Sequence, residues 1–335
     1  MRNYALFLRR ADFGSMKRMI RNIGIVRDRF GQPELVTLAD MLGCMRLGFG
    51  HLDYLTFGFA QNHGENRKTF MTMGDNIRFA RQMNDPSYCA IFLNKIEFNR
   101  MFRAFIGREY MQLSDGAEAF RRFIQRHPVV FAKTPDSYGG KGIRKVDLTN
   151  EPNVDNVYRV LLRDGLTLIE EPIAQHEKMQ LLCDACVNTL RIVTVLDDDG
   201  QAHVVYTLLR VGDGDSPTDN VSSGGMYTMP DANGKIIHPM FCDRTGKYYS
   251  EHPKTVFAFL GFEIPFYAQA VELCAKAALV EPHVRYVGWD VAVTAHGPVL
   301  VEGNTLPGYD MCQNYRFHTD GRGMKSILFS AVYGK

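Results

Sequence analysis

Long apolar runs are missing from this 335-residue chain. Nothing approaches the roughly 18 uninterrupted apolar residues of a membrane-spanning helix. The opening stretch Ala5-Leu6-Phe7-Leu8 is closed at once by Arg9-Arg10, too short for an export signal. Both absences predict a cytoplasmic protein without a transmembrane segment. A charge excess is also missing: 39 Lys+Arg against 37 Asp+Glu leave a net charge of +2, which makes no whole-chain case for a nucleic-acid partner. Seven cysteines, odd in number and scattered, exclude a disulfide scaffold. The one C-x-x-C, Cys183 and Cys186, has no second pair to complete a zinc site and reads as core thiols in a reducing compartment. Internal repeats and low-complexity tracts are absent. What remains, 45% hydrophobic and 23% charged, is an ordinary globular chain of about two domains' length.

Residues 1–30 carry eight Lys/Arg against two Asp, interleaved with Leu6, Phe7, Met16, Met19, Ile20 and Ile23. Such a pattern suits a helix on an anionic surface or, more commonly, a solvated face packed on its own protein. The chain changes texture near residue 128. Before it helical spacing dominates, as in Leu35, Leu38, Met41, Leu42 and Met45, and again from Lys95 through Ile96, Met101, Phe102 and Phe105. After it short β-rich runs appear, at 129–132, 166–170, 189–196, 203–209, 290–294 and 299–302, with helical patterns near 153–163 and 265–281.

Two features carry chemistry. The strand Val129-Val-Phe-Ala-Lys133 leads into a loop, Thr-Pro-Asp136-Ser137-Tyr-Gly139-Gly140-Lys-Gly142, whose glycines allow backbone N–H groups to approach phosphate oxygens. It is neither a Walker A motif, whose order of residues is absent, nor a Rossmann fingerprint, since no helix opens directly after it. Taken alone, a plain hairpin turn explains it better. Further on, Gly288-Trp-Asp290-Val-Ala-Val-Thr turns into Val299-Leu-Val-Glu302-Gly-Asn304. A hairpin of this length sets Asp290 and Glu302 on neighbouring strands, with Asn304 on the same face as Glu302. Two carboxylates and an amide oxygen are the hard ligands Mg²⁺ prefers, and the plain alternative is an exposed Asp and a strand-end turn.

The lysine strand and glycine loop, then Leu168-Ile-Glu170-Glu171-Pro-Ile173, then Asp290…Glu302-x-Asn304, resemble the ATP-grasp superfamily in order and spacing. Gln175-His176, Asn188-Thr-Leu-Arg191-Ile-Val-Thr, Asp219-Asn220 before Gly224-Gly225, and Gly288-Trp-Asp290 are similar to its sugar-transfer-associated branch, named for its association with polysaccharide-synthesis genes. The likeness covers roughly residues 90–320, and Asp53-Tyr54 and the Lys95 segment resemble that branch's amino-terminal part. The resemblance implies an α+β, ATP-grasp fold with two sub-domains gripping ATP. The expected division is a helical N-terminal region at 1–90, a small sub-domain at 91–168 with the phosphate loop, and a large one at 169–335 with the hinge and metal ligands. Residues 1–90 read helical where many ATP-grasp ligases have an α/β domain.

Residue by residue, the resemblance implies that Lys95 and Lys133 clamp the nucleotide phosphates. Ser137, Gly139, Gly140 and Gly142 cover them, and Glu170, Glu171 and Ile173 form the adenine hinge. It places Glu177 on the ribose, Asn220 near the phosphates, and Mg²⁺ or Mn²⁺ on Asp290, Glu302 and Asn304. Arg191, on the strand face opposite Leu190 and Ile192, and Arg210, ending the next strand, suit contact with phosphate or carboxylate. Together with Lys133 they are the expected catalytic residues. The implied reaction is ligation: ATP phosphorylates a carboxylate, an amine attacks the acyl phosphate, and ADP and phosphate leave. Small-molecule carboxylate and amine substrates are implied, sugar-linked ones by the family's name alone, and a homodimer stays open. A kinase with a stable phosphorylated product, or a nucleotide-binding module without turnover, are the alternatives.

Overall fold

A computed structural model describes residues 13–136 and 142–333. The chain opens on helices α1 (Phe13–Phe30), α2 (Glu34–Arg46), α3 (His51–Thr56) and α4 (Met73–Met83), followed by α5 (Pro86–Leu93), α6 (Lys95–Met101) and α7 (Arg103–Ile106). Their boundaries are written locally. Thr72 and Asp75 form a reciprocal cap on α4, with Thr72 Oγ1 accepting from Asp75 N at 3.1 Å and Asp75 Oδ2 accepting from Thr72 N at 3.0 Å. Asp85 caps α5, whose first residue is Pro86. Asn94 ends α5 and caps α6, its Oδ1 accepting from Ile96 N and Glu97 N. Gly107 stops α7 in the left-handed region (φ 56°), where a Cβ would lie 2.4 Å from Val299 Cγ1. A side chain there would both strain the backbone and strike the large sheet.

A small antiparallel sheet follows, built from β1 (Tyr110–Gln112), β2 (Val129–Lys133), β3 (Ile143–Asp147) and β4 (Leu168–Glu170) in the order β1-β4-β2-β3. Helices α8 (Ala117–Arg126) and α9 (Val154–Arg163) close its own core around Phe120, Phe123, Val130, Leu161 and Ile169. After α10 (Glu177–Leu182) the chain forms β5 (Thr189–Leu196), β6 (Ala202–Val211), β7 (Met226–Thr228), β8 (Met240–Cys242) and β9 (Lys247–Tyr249). It ends with α11 (Tyr267–Ala278), β10 (Tyr286–Thr294), β11 (Gly297–Asn304) and α12 (Lys325–Tyr333). The seven large-sheet strands run in the order β11-β10-β5-β6-β7-β8-β9. All paired strands are antiparallel.

Every residue of β5 is buried, because helices cover both faces of the large sheet. On one face Leu190, Ile192, Trp289 and Val291 pack with α11 and with Phe92, Phe98 and Phe102. On the other, Val193, Val195, Leu208 and Tyr286 pack with the helices of residues 13–83, the segment around 309–317, and α12. The amino-terminal helices therefore share one core with the sheet. The apolar residues of 92–106 also pack on the large sheet, and the small sheet's own core starts at Met111. Cys183 and Cys186 are buried free thiols, as the sequence implies. No helix among the described residues is long and apolar enough to cross a membrane.

Candidate functional site

Strand register puts the charged groups on one face. Asp290 of β10 lies opposite Arg191 of β5 and opposite Glu302 of β11, while Arg191 lies opposite Leu208 of β6. With a period of two, Arg210 shares that face with Leu208, and Asn304 shares it with Glu302. This is the face covered by the amino-terminal helices, so Arg191 is buried. Arg191 donates to Asp290 Oδ1 through Nε at 2.5 Å and to Oδ2 through Nη2 at 3.1 Å. Arg210 Nη2 reaches Asp290 Oδ2 at 2.9 Å, Asp219 Oδ1 at 3.2 Å and Thr189 Oγ1 at 2.7 Å. Thr189 in turn donates its hydroxyl and its backbone N–H to Asp219 Oδ2, at 2.5 and 2.9 Å. Asp219 lies in the Asp219-Asn220…Gly224-Gly225 run, and Gly225 is needed there because a Cβ would sit 2.4 Å from Asp219 O.

Burial would raise the Asp290 carboxyl, but the charges of Arg191 and Arg210 outweigh it and hold it down at about 2. Glu302 shifts the other way: burial and the neighbouring Asp290 charge raise it, and the two carboxyl groups share a hydrogen bond. A pair of like-charged oxygens held together in this way is a place for a cation. Asn304 Nδ2 donates to Glu302 Oε1 and to Gly288 O, each at 3.5 Å. Among the described residues no group of three or more His, Cys, Asp or Glu side chains is gathered to hold a metal, so the donors on offer are these two carboxylates and one amide.

A second cluster belongs to the small sheet. Lys133, at the end of β2, pairs with Glu170 at the end of β4. Glu170 is buried and also accepts from Asn99 Nδ2 at 2.6 Å and from Arg108 Nη2 at 3.2 Å. Burial would raise Glu170, yet Arg108 and Lys133 keep it well below the usual carboxylate range. Arg108 is anchored by Nη1 to Leu300 O at 2.6 Å, which ties the small sheet's counter-ion network to β11. Lys95, first residue of α6, sends Nζ toward Thr134 O at 3.4 Å, and its backbone N–H donates to Pro135 O at 3.0 Å. Burial depresses the Lys95 ammonium against the opposing pull of Glu302, and the Lys133 charge adds to the depression.

These two clusters meet at a cavity of about 320 Å³. Lys95, Lys133, Glu170 and Ile143 line one side, Glu302, Asn304 and Leu306 the other, and Phe92 and Phe98 also border it. Other expected residues stand elsewhere. Asp290, Arg191 and Arg210 lie beside Glu302 without lining the cavity. Glu171 turns to His127, its Oε2 3.1 Å from Nδ1, and its N–H donates to Glu109 O at 3.1 Å. Ile173 is half-buried outside the lining, and Glu177 is exposed at the start of α10. Asn220 caps a short turn by accepting from Ser222 N at 3.3 Å. Gly142 is described, its carbonyl accepting from Thr134 N at 2.9 Å, whereas Ser137, Gly139 and Gly140 lie outside the described residues. Arg108 and Asn99 were not legible as site residues, because a lone arginine after a helix-ending glycine and an asparagine inside a helix carry no local motif.

Residues 75–316, more than half of the chain, match the model of a family described as sugar-transfer associated ATP-grasp. The chain is an ATP-grasp protein, with the fold of that class behind a helical amino-terminal region. Within the class it belongs to the sugar-transfer-associated family. A search of curated proteins finds no match. Among solved structures, D-alanyl-alanine synthetase A from Vibrio cholerae is similar at 15% identity and a TM-score of 0.44, over 75% of this chain and 67% of that one. The ATP-grasp ligase PsnB, complexed with a phosphomimetic variant of its minimal precursor, Mg and ADP, is similar at 14% identity and a TM-score of 0.42, over 77% and 66%. N5-carboxyaminoimidazole ribonucleotide synthetase from Thermotoga maritima follows at 12% and 0.40, over 72% and 51%. The chain thus spans about two thirds of the length of the first two.

Proposed function

We propose that this protein is an ATP-dependent carboxylate–amine ligase that works through an acyl phosphate and releases ADP and phosphate. The observation that carries the reading is the meeting of Lys95 and Lys133 with Glu302 and Asn304 across one cavity. Two ammonium groups suit a polyphosphate, and hard oxygen donors opposite them suit the cation that accompanies it. Asp290, Glu302 and Asn304 are the residues to hold Mg²⁺ or Mn²⁺, which when bound supplies charge neutralisation to the phosphate oxygens. Lys133, released from Glu170 as phosphate approaches, and Lys95 orient the γ-phosphoryl group. Arg191 and Arg210 fix Asp290 and lend positive charge to the acyl phosphate. Ser137, Gly139, Gly140 and Gly142 are the residues to bind the phosphates, Glu170, Glu171 and Ile173 border the adenine, Glu177 takes the ribose, and Asn220 stands by the phosphates. The small sheet and the large sheet are the two sub-domains that grip the nucleotide. A sugar-linked substrate is suggested by the family's description alone.

The test is product identity over a panel of carboxylates and amines. With a productive pair, ADP and phosphate form in equal amounts with the amide, and hydroxylamine in place of the amine traps a hydroxamate. Stoichiometric AMP overturns the mechanism. ADP with a stable phosphorylated product and no amine dependence makes the protein a kinase, and nucleotide binding without ADP makes it a non-catalytic module.

Lys133→Ala is expected to weaken ATP binding by about tenfold or more while changing adenosine binding little, because its contact is to phosphate. Glu170 keeps Arg108 and Asn99 in that variant, so the fold survives. Calorimetry with both ligands reads the difference, and equal losses would place Lys133 away from the phosphates.

A further inference from the structure

Glu170 divides its carboxylate between two cations. Its Oε2 accepts from Lys133, and both residues border the nucleotide cavity. Its Oε1 accepts from Asn99 Nδ2 at 2.6 Å and from Arg108 Nη2 at 3.2 Å. The Arg108 and Glu170 side chains are each only 3% exposed, and Arg108 stands behind Glu170 without lining the cavity. A nucleotide in the cavity would therefore meet Lys133 and not Arg108.

The local backbone delivers the guanidinium to that place. Gly107 turns the chain so close to β11 that a Cβ would lie 2.4 Å from Val299 Cγ1. The next residue, Arg108, then reaches along β11. Its Nη1 donates to Leu300 O at 2.6 Å and to Ile106 O at 3.2 Å, and its Nη2 also donates to Val301 O at 3.3 Å. Arg108 thus staples β11, two residues before Glu302, to the end of β4. Its Nε has no hydrogen-bond partner among the described residues. A buried ion pair adds little net stability, and an unmet buried donor subtracts from it. Stability of the fold does not account for an arginine here.

Taking the last cation from a buried carboxylate strands its charge. In the ligase reading, on which this inference rests, Lys133 leaves Glu170 for the phosphates. We propose that Arg108 is a positioning residue for nucleotide binding, which keeps the Glu170 carboxylate paired while Lys133 moves to the phosphates. Each cation has its own carboxylate oxygen, so Lys133 can depart without disturbing the other contact. Burial opposes the Glu170 charge, and Arg108 is the strongest influence holding that charge in place, ahead of Lys133. The carbonyls of Leu300 and Val301 fix the guanidinium, so Glu170 keeps its position at the edge of the cavity during the exchange. No proton moves and no covalent bond changes.

The test is calorimetry on the full chain, with MgATP and with adenosine, in four proteins: wild type, Arg108→Met, Glu170→Gln and the double variant. Arg108→Met alone is expected to lower the ratio of ATP to adenosine affinity by about tenfold, because Lys133 is then the only cation on Glu170 and stays there. In the Glu170→Gln background no charge holds the lysine, so adding Arg108→Met should change the ratio by less than about threefold. An arginine that only supports the fold would lower both affinities together, or cost the same in both backgrounds. Either result overturns the proposal, as does an unchanged ratio in Arg108→Met. Where that variant folds poorly, Arg108→Gln, which keeps an amide donor for Leu300 O, is read by the same criteria. Failure of the ligase reading is separate: it shows as no ADP from any carboxylate–amine pair while this pattern of affinities stands.

Discussion

Glu302→Gln is expected to cut ADP formation by about 10²–10³-fold, the scale of losing one group that stabilises developing charge, without lowering the melting temperature. The amide keeps the shape of the side chain, and replacing the charge relieves the repulsion with Asp290 that raises Glu302. A purely structural Glu302 would behave differently, since loss of its hydrogen bond to Asp290 would lower stability and leave turnover near normal. Measuring Mg²⁺-dependent ADP release and thermal unfolding on one sample separates the two. Normal turnover in Glu302→Gln, with Mg²⁺ still required, removes the metal assignment.

Arg191→Met should destabilise the protein by about 3–5 kcal/mol, because breaking a buried pair leaves a charge without its partner. Asp290 loses two of its three arginine contacts in that variant and keeps only Arg210. Asp290→Asn added to Arg191→Met should recover much of the stability, since the stranded charge is gone, yet leave ligation at the level of the worse single variant. Denaturant unfolding of the four proteins in this cycle gives the coupling directly. Recovered turnover in the double variant would reduce both residues to a salt bridge of the fold.

The runs Gly288–Thr294 and Val299–Asn304 about a short turn were enough to place a hairpin, and the observed register sets Asp290 opposite Glu302. Periodicity was equally informative for the helices at 154–163 and 267–278. It could not show that Arg191 is buried. Its row also holds Val193 and Val195, and an arginine in such a row reads as facing solvent or a cleft, whereas here the amino-terminal helices pack over that row. Nor could it show that Glu170 answers Arg108 and Lys133, or that Glu171 turns to His127, because adjacent strand residues point to opposite faces and the local sequence does not say which face meets the cleft.

Asn94 has a mechanical consequence. Besides capping α6 it donates to Asp136 Oδ1 at 2.8 Å, while the Lys95 backbone is bonded to Pro135. Helix α6 rests on the large sheet, yet its first turn is laced to the segment leaving β2. If the small sheet moves as the proposed ligase takes up ATP, these bonds tie the tip of α6 to it, so that Lys95 and Lys133 travel in step.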